Sequence, residues 1–252
     1  MAKDLFSNQA SLYAQYRPGY PPELYEFILQ HVNNRTLAWD CATGNGQAAV
    51  ELAKYFEQVM ATDISEKQLQ QAQPHEKISY SITTAEQTPF ADNSFDCITV
   101  AQAYHWFNFE AFGNEVMRVA KPGAIVAIWG YSLVVCEDEA INTLINTFYR
   151  EKVGAYWDKE RSYIDDHYTT VPFPYEPLPS NNFQIHVQWD RQQLIGYLNT
   201  WSSVQHFIKA HQYNPVDELT AAIERVWRDD VTRTFYFPLF LKLGRVGKGS
   251  KR

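Results

Sequence analysis

Short apolar runs alternate with amphipathic stretches along the first half of the chain. The apolar runs predict strands near 36–40, 58–62, 78–82, 95–101 and 123–130. The amphipathic stretches predict helices near 23–32, 47–56, 65–72 and 109–119. Strands that alternate with helices build a parallel sheet, so the pattern predicts an α/β fold.

The pattern weakens between residues 150 and 181 and then returns. The segment 171–179 carries four prolines in nine residues, which predicts an extended connection. Residues 183–189 alternate like a strand, a helix is predicted over 191–199, and 234–241 read as a final strand. Pro238 is unusual for a central strand, because proline lacks the N–H that a ladder needs.

A glycine-rich turn follows the first predicted strand, in the sequence Leu-Ala-Trp-Asp-Cys-Ala-Thr-Gly-Asn-Gly at 37–46. Gly44 and Gly46 have no Cβ, so the backbone there can turn sharply and approach a ligand. Asp63 ends the second predicted strand, seventeen residues after Gly46. A carboxylate at that place suits the two hydroxyls of a ribose, so the turn predicts a nucleotide site.

Asp40 bears on which nucleotide binds. The spacing Gly44-x-Gly46-x-x-Ala49, with Asp63 beyond it, also fits the dinucleotide fingerprint, so NAD and FAD stay open on spacing alone. A carboxylate in the turn repels a pyrophosphate and attracts a cation. Asp40 therefore favours a cationic cofactor, such as S-adenosylmethionine with its ammonium and sulfonium groups.

Five motifs in order resemble the class I S-adenosylmethionine-dependent methyltransferases. They are Asp40-x-Ala42-x-Gly44-x-Gly46, Asp63-Ile-Ser, Ala85-Glu-Gln-Thr-Pro-Phe, Ser94-Phe-Asp and Arg118-Val-Ala-Lys-Pro-Gly. The chain departs from the family at Ala42, which replaces the first glycine, and at Thr84, where many relatives carry an acid that contacts adenine.

The resemblance implies a Rossmann-like fold: a seven-stranded, mostly parallel sheet with one antiparallel strand and helices on both faces. It implies one domain over 1–252. Its expected parts are an N-terminal helical lid (1–34), a cofactor-binding core (35–131), a substrate-access insertion (132–181), the C-terminal part of the sheet (182–244) and a disordered tail (245–252).

The resemblance also implies a set of site residues. S-adenosylmethionine is expected to contact Tyr16, Arg17, Asp40, Ala42, Gly44, Gly46, Asp63, Ile64, Ala85, Glu86 and Ala101. The acceptor pocket is expected to include His105, Trp106 and Tyr131. His105 is also the candidate catalytic residue, although methyl transfer to a carboxylate needs no deprotonation and so disfavours a role as general base. No His/Cys/Asp cluster has metal-ligand spacing, so we expect no metal.

The sequence leaves two alternatives for the chemical class of the methyl acceptor. The segment Leu198-Asn-Thr-Trp-Ser202 is similar to a signature of proteins like trans-aconitate methyltransferase, which implies a small carboxylate and a methyl ester product. Arg17, Arg161 and His105 are candidates to bind such a carboxylate. Aromatic residues make up 15% of the chain, however, and favour a flatter, more apolar acceptor. Tyr156, Trp157, Tyr163 and Tyr168 could line its pocket or fill a subsidiary core.

The amino-acid composition narrows the classes of function and of cellular location. The net charge of −7 over 252 residues gives no general attraction to nucleic acid. No apolar run is long enough to cross a bilayer, and three cysteines far apart favour a reducing compartment, so we expect a cytoplasmic monomer or homodimer without membrane contact. Two alternatives remain: a binding module that keeps the cofactor fold without turnover, and an NAD-dependent oxidoreductase.

Overall fold

A computed structural model describes residues 16–228 and 230–247 of the chain. Residues 1–15 of the expected lid and 248–252 of the expected tail lie outside the described residues. Two residues that we placed in the tail, Arg245 and Val246, are ordered parts of the fold instead. Arg245 ends the last strand, and Val246 is buried.

Within the described residues, nine strands form one sheet. They are β1 (Leu37–Cys41), β2 (Gln58–Asp63), β3 (Ile78–Ile82), β4 (Phe95–Ala101), β5 (Ala120–Tyr131), β6 (Val135–Cys136), β7 (Glu176–Pro177), β8 (Phe183–Trp189) and β9 (Arg233–Arg245). The main order is β3-β2-β1-β4-β5-β9, and β8 pairs with the far side of β9. Strands β1 to β5 are parallel, whereas β9 runs antiparallel to both β5 and β8. The predicted Rossmann-like fold is therefore confirmed, with β6 and β7 as two short additions.

Helices cover both faces of this sheet. They are α1 (Pro22–Leu29), α2 (Gln47–Leu52), α3 (Glu66–Leu69), α4 (Phe109–Val119), α5 (Glu139–Thr147), α6 (Arg161–Asp165), α7 (Arg191–Asn199), α8 (Ser202–His211) and α9 (Val216–Val226). Short 3₁₀ turns span Tyr104–Trp106 and Gly154–Tyr156, and a π-helical turn spans Phe148–Lys152.

Alternate residues of the central strands enter two separate cores, because successive side chains of a strand point to opposite faces. In β5, Ala127 and Trp129 join the core under α1, α2 and α5, whereas Val126 and Ile128 join the core under α4. Both faces of β5 are buried, which explains why it appears in the sequence as a continuous apolar run rather than an alternating one.

The start of β5 corrects one predicted boundary. We placed a turn at Pro122-Gly123 and began the strand at 123, but α4 ends at Val119 and β5 begins at Ala120. Gly123 has φ +83° within the strand, and the pairing of β5 with β4 shifts register between Phe95 and Cys97. The proline and glycine therefore bend the strand instead of preceding it.

Pro238 is compatible with the central position of β9 because of where β5 ends. The Pro238 carbonyl accepts a hydrogen bond from the Ser132 N–H, just beyond the last β5 residue, Tyr131. In an antiparallel strand, a residue's N–H and C=O point to the same side. The N–H that Pro238 lacks would therefore face the end of β5, where the ladder stops.

Candidate active site

A cavity opens where β1, β2 and β4 end, at the carboxyl edge of the parallel strands. It contains about 1120 Å³ of empty space, including its open mouth. Small residues from several loops form much of its wall, among them Ala42, Gly44, Ala85 and Ala101. We name it the first cavity.

The turn after β1 has an unusual backbone. Ala42, Gly44 and Gly46 have φ values of 55°, 58° and 84°. A left-handed φ disfavours any residue with a Cβ by about 1–2 kcal/mol, so Ala42 carries a strain that the family's usual glycine avoids. A Cβ on Gly46 would lie 2.5 Å from the Tyr80 hydroxyl, so glycine also fits the space there.

Asp63 joins this turn to the turn after β2. Its Oδ2 accepts a hydrogen bond from the Gly44 N–H at 2.8 Å, and its Oδ1 accepts one from the Ser65 N–H at 2.8 Å. Asp63 also lines the first cavity. Its carboxylate thus holds two backbone turns and faces the space where a nucleotide can bind.

Asp40 lies under the turn and is not among the residues that line the first cavity. Its side chain is fully buried and accepts hydrogen bonds from the hydroxyls of Thr43 and Thr99, the latter at 2.8 Å. Burial raises the pKa of Asp40 from 3.8 to about 6, although both threonine hydroxyls favour the charged form. The structure therefore places Asp40 as a support of the glycine turn.

Most of the other predicted residues meet at the first cavity. It is lined by Arg17, Ala42, Gly44, Asp63, Ile64, Ala85, Glu86, Ala101, Trp106 and Tyr131. Gly46, Tyr16 and His105 are not part of this lining. Tyr16 packs against Gly196 of α7, and Thr83 rather than Thr84 lines the cavity.

A second cavity adjoins the first and shares Arg17, Gln102 and Trp106 with it. It contains about 600 Å³ of empty space, including its mouth. Its other lining residues are His105, Leu133, Tyr149, Trp157, Asp158, Arg161, Tyr197, Trp201 and Ser202. Tyr149 comes from the π-helical turn, a feature that is frequent at functional sites.

Two guanidinium groups give the second cavity a cationic wall. The Arg17 Nη1 donates to the Tyr131 hydroxyl at 2.6 Å, and its guanidinium lies 5.1 Å from the centre of the Tyr197 ring. The Arg161 guanidinium lies 4.9 Å from the centre of the Trp157 ring. Asp158 is the one carboxylate in this described lining, and Arg161 also pairs with Asp165 outside the lining, with 3.4 Å between Nε and Oδ1.

His105 is neutral in this site. Its Nδ1 lies 2.8 Å from the Tyr168 hydroxyl. Burial, with a contribution from Arg161, lowers the pKa of His105 from 6.5 to about 3. A ring that holds a proton so weakly is neutral near pH 7, so any hydrogen bond it makes there is that of a neutral imidazole.

Gln102 is a site residue that the sequence analysis missed. Its Oε1 accepts from the Tyr131 N–H at 2.7 Å, and its Nε2 donates to the Tyr131 carbonyl at 3.3 Å. These bonds tie the ends of β4 and β5 together between the two cavities. Its position directly after β4 was a usable signal. Tyr149 and Tyr197 were also missed, and no local pattern marks them.

The sheet order, the glycine turn after β1 and the acid after β2 together define the class I S-adenosylmethionine-dependent methyltransferase architecture. Comparison with known proteins agrees. The family model described as "Methyltransferase domain" matches residues 39–128. A Dictyostelium discoideum protein described as a methyltransferase is 31% identical over 249 residues, which are 96% of this chain and 95% of that protein.

A solved structure and a yeast protein are also similar to this chain. A structure of an Anaeromyxobacter dehalogenans protein, described as a type II methyltransferase, has 32% identity and a TM-score of 0.85, and the match covers 93% of this chain and 100% of that one. A Saccharomyces cerevisiae protein described as an S-adenosylmethionine-dependent methyltransferase is 25% identical over 176 residues, 66% of this chain and 59% of that protein. The chain belongs to the class I S-adenosylmethionine-dependent methyltransferase family. This membership replaces the oxidoreductase alternative.

The described residues lack two other features, a membrane-spanning helix and a cluster of metal ligands. No helix in residues 16–228 and 230–247 is long and apolar enough to cross a membrane. The same residues hold no group of three or more His, Cys, Asp or Glu side chains placed to bind a metal ion.

Proposed function

We propose that the protein transfers the methyl group of S-adenosylmethionine to a carboxylate oxygen of a small molecule bound in the second cavity. The observation that carries this proposal is the cationic, aromatic second cavity, which adjoins the first cavity and shares Arg17 with it. We infer a monomer or homodimer in the cytoplasm. The three cysteines, which are free and buried, fit a reducing compartment.

The first cavity fits the cofactor. Gly44 has φ +58°, and a Cβ added there would have no neighbour closer than 4.0 Å, so the backbone is open to a ligand. In our proposal Asp63 accepts the ribose hydroxyls and Arg17 contacts the methionyl carboxylate. Ile64, Ala85, Glu86 and Ala101 border the rest of the cofactor, while Asp40, Ala42 and Gly46 shape the turn and Tyr16 supports Arg17.

The second cavity fits an anionic acceptor. Arg17 and Arg161 attract a carboxylate in a partly dry site, where charge-assisted hydrogen bonds are stronger than in water. The rings of Trp157 and Tyr149 provide flat apolar walls. When bound, S-adenosylmethionine supplies an electrophilic methyl group whose transfer to a carboxylate oxygen requires no proton removal. The site therefore needs groups that orient the acceptor more than it needs a base.

The positions of two motif residues support the resemblance to carboxylate methyltransferases. Trp201 and Ser202, which belong to the Leu-x-Thr-Trp-Ser segment, both line the second cavity. We therefore include a tricarboxylate such as trans-aconitate among the candidate acceptors, together with planar aromatic acids.

Binding measurements test the anionic acceptor. We expect the complex with S-adenosylhomocysteine to bind benzoate at least about tenfold more tightly than benzamide, because a hydrogen bond to a charged group contributes about 1.5–3 kcal/mol. Arg161→Met should remove this preference. Isothermal titration calorimetry of benzoate and of benzamide, each into the wild type and into Arg161→Met, measures the preference.

Arg150→Met is the matched control. Arg150 is exposed and lines neither cavity, so its variant should keep the preference for benzoate. Equal binding of benzoate and benzamide by the wild type, or a preference that survives Arg161→Met, would contradict the carboxylate proposal. A protein that binds S-adenosylhomocysteine but never turns over the methyl donor would instead be the silent binding module.

A further inference from the structure

Tyr168 stands in a strained segment beside the second cavity. His167 and Tyr168 are consecutive residues with φ values of 52° and 56°. Two successive left-handed residues with Cβ atoms are unfavourable, and such strain persists only where surrounding contacts hold it. Here the Tyr168 N–H donates to the Tyr163 carbonyl at 2.8 Å, and the Lys242 Nζ donates to the Tyr168 carbonyl at 2.8 Å.

The segment directs the Tyr168 side chain at His105. The tyrosine is fully buried, and its ring packs edge-on against Phe240 and Tyr104 at centroid distances of 5.1 and 5.6 Å. Its hydroxyl lies 2.8 Å from the His105 Nδ1. The His105 backbone N–H also acts as a donor to this hydroxyl oxygen, so the hydroxyl's own proton has Nδ1 as its acceptor.

This geometry decides which atom donates. A buried hydroxyl that accepted from an Nδ1–H would leave its own proton without an acceptor, and an unsatisfied buried donor is costly. The Tyr168 O–H therefore donates to Nδ1, which must be unprotonated. In a neutral imidazole the proton then lies on Nε2. Because His105 lines the second cavity, Nε2–H is the donor that it can offer there.

We propose that Tyr168 is a positioning residue that holds His105 in the Nε2–H tautomer, so that His105 donates a hydrogen bond to the acceptor oxyanion and does not remove a proton. The statement about the acceptor rests on the proposed function, whereas the tautomer does not. The charged groups in the wall of the second cavity are Arg17, Arg161 and Asp158, and Asp165 pairs with Arg161.

The consequence is a restriction on substrate class. With His105 unable to accept a proton through Nε2, and two cationic groups facing the cavity, the site selects acceptors that arrive as oxygen anions. Amines and neutral alcohols, which must lose a proton during methylation, are disfavoured. His105 was our candidate catalytic residue, and this inference gives it the role of a hydrogen-bond donor.

Nitrogen-15 spectra of the whole protein, labelled at histidine, test the tautomer without donor or acceptor present. We expect His105, assigned by the loss of its signals in His105→Gln, to show the Nε2–H pattern unchanged from pH 8 to pH 5. Tyr168→Phe should give a mixture of tautomers. Tyr175→Phe is the matched control, because Tyr175 is also buried and its hydroxyl has no hydrogen-bond partner in the described part of the chain.

The second measurement uses benzoate on the complex with S-adenosylhomocysteine. Tyr168→Phe should weaken benzoate about fivefold and leave S-adenosylhomocysteine affinity within twofold, whereas Tyr175→Phe should change neither. An Nδ1–H pattern in the wild type, or an unchanged pattern in Tyr168→Phe, would overturn the proposal. If the tautomer is as expected and the wild type ignores benzoate, the proposed acceptor fails while the role of Tyr168 stands.

Discussion

The two cavities meet at Arg17, Gln102 and Trp106, but the chain builds them differently. Most of the wall of the first cavity comes from residues at or just after the ends of β1, β2 and β4, several of them small. The wall of the second comes from large side chains in distant segments, such as Tyr149 of the π-helical turn, Trp157 and Tyr197. The first cavity is thus formed by the ends of the strands, and the second is formed by side chains that pack above the sheet.

This difference suggests a division of roles. A site made of strand ends and short turns is held by many backbone hydrogen bonds, so it suits a ligand that every member of the family binds. A site made of side chains can change with few substitutions, so it suits the acceptor. Substitutions in the first cavity should accordingly weaken cofactor binding, and those in the second should change acceptor preference.

The largest effect is expected at Asp63. Asp63→Ala removes two charge-assisted hydrogen bonds to backbone N–H groups that join the two turns, together with the proposed partner of the ribose. Because each proposed hydrogen bond from a ribose hydroxyl to this carboxylate contributes about 1.5–3 kcal/mol to binding, we expect S-adenosylhomocysteine affinity to fall at least about 100-fold. Isothermal titration calorimetry measures the change.

Asp92→Ala is the control for this variant. The Asp92 side chain is 68% exposed and pairs with Arg118 away from the cavity, so its loss should leave the affinity within twofold. Comparable losses in both variants would mean that Asp63 acts through general stability. Unchanged S-adenosylhomocysteine affinity in Asp63→Ala would contradict the proposed difference between the two cavities, because the first cavity would then not depend on the turns that Asp63 joins.

A smaller effect is expected at Asp40, under the first cavity. Its pKa of about 6 in the folded state exceeds the ordinary 3.8, so between these pH values the native protein binds more protons than the unfolded chain. This residue therefore lowers the free energy of unfolding by about 2 kcal/mol as the pH rises from 4 to 7.

Asp40→Asn removes that dependence. The free energy of unfolding of Asp40→Asn minus that of the wild type should rise by about 2 kcal/mol between pH 4 and pH 7, while groups shared by both proteins cancel. Urea denaturation followed by circular dichroism at several pH values gives this difference. A difference that stays constant with pH would show that Asp40 titrates normally despite its burial.

The sequence predicted the first cavity better than the second for a physical reason. The residues at 40–46 and Asp63 lie at strand ends that hydrophobic periodicity locates, and parallel strands bring their carboxyl ends together. Even there, the sequence did not indicate that Asp40 faces Thr43 and Thr99 rather than the cavity. That choice depends on side-chain rotamers inside the turn.

The second cavity depends on contacts that no local pattern encodes. Helices α5 and α8 fall in regions where the sequence analysis predicted no helix. Tyr149 reaches the cavity through a π-helical turn, and Tyr168 reaches His105 through two left-handed residues. The candidate residues Arg17, His105, Trp106 and Arg161 do line this cavity. The sequence indicated them one by one: the two arginines by their charge, and His105 and Trp106 by their place just after a predicted strand.

The transfer of a labelled methyl group tests the central claim most directly. The wild-type protein is incubated with trideuteromethyl S-adenosylmethionine and, separately, with trans-aconitate, benzoate, benzamide and benzylamine, and the products are analysed by mass spectrometry. We predict label on at least one of the two acids, as an ester that mild alkali releases, and none on benzamide or benzylamine. Label on benzylamine, or turnover of the methyl donor that never yields an alkali-labile ester, would contradict the account.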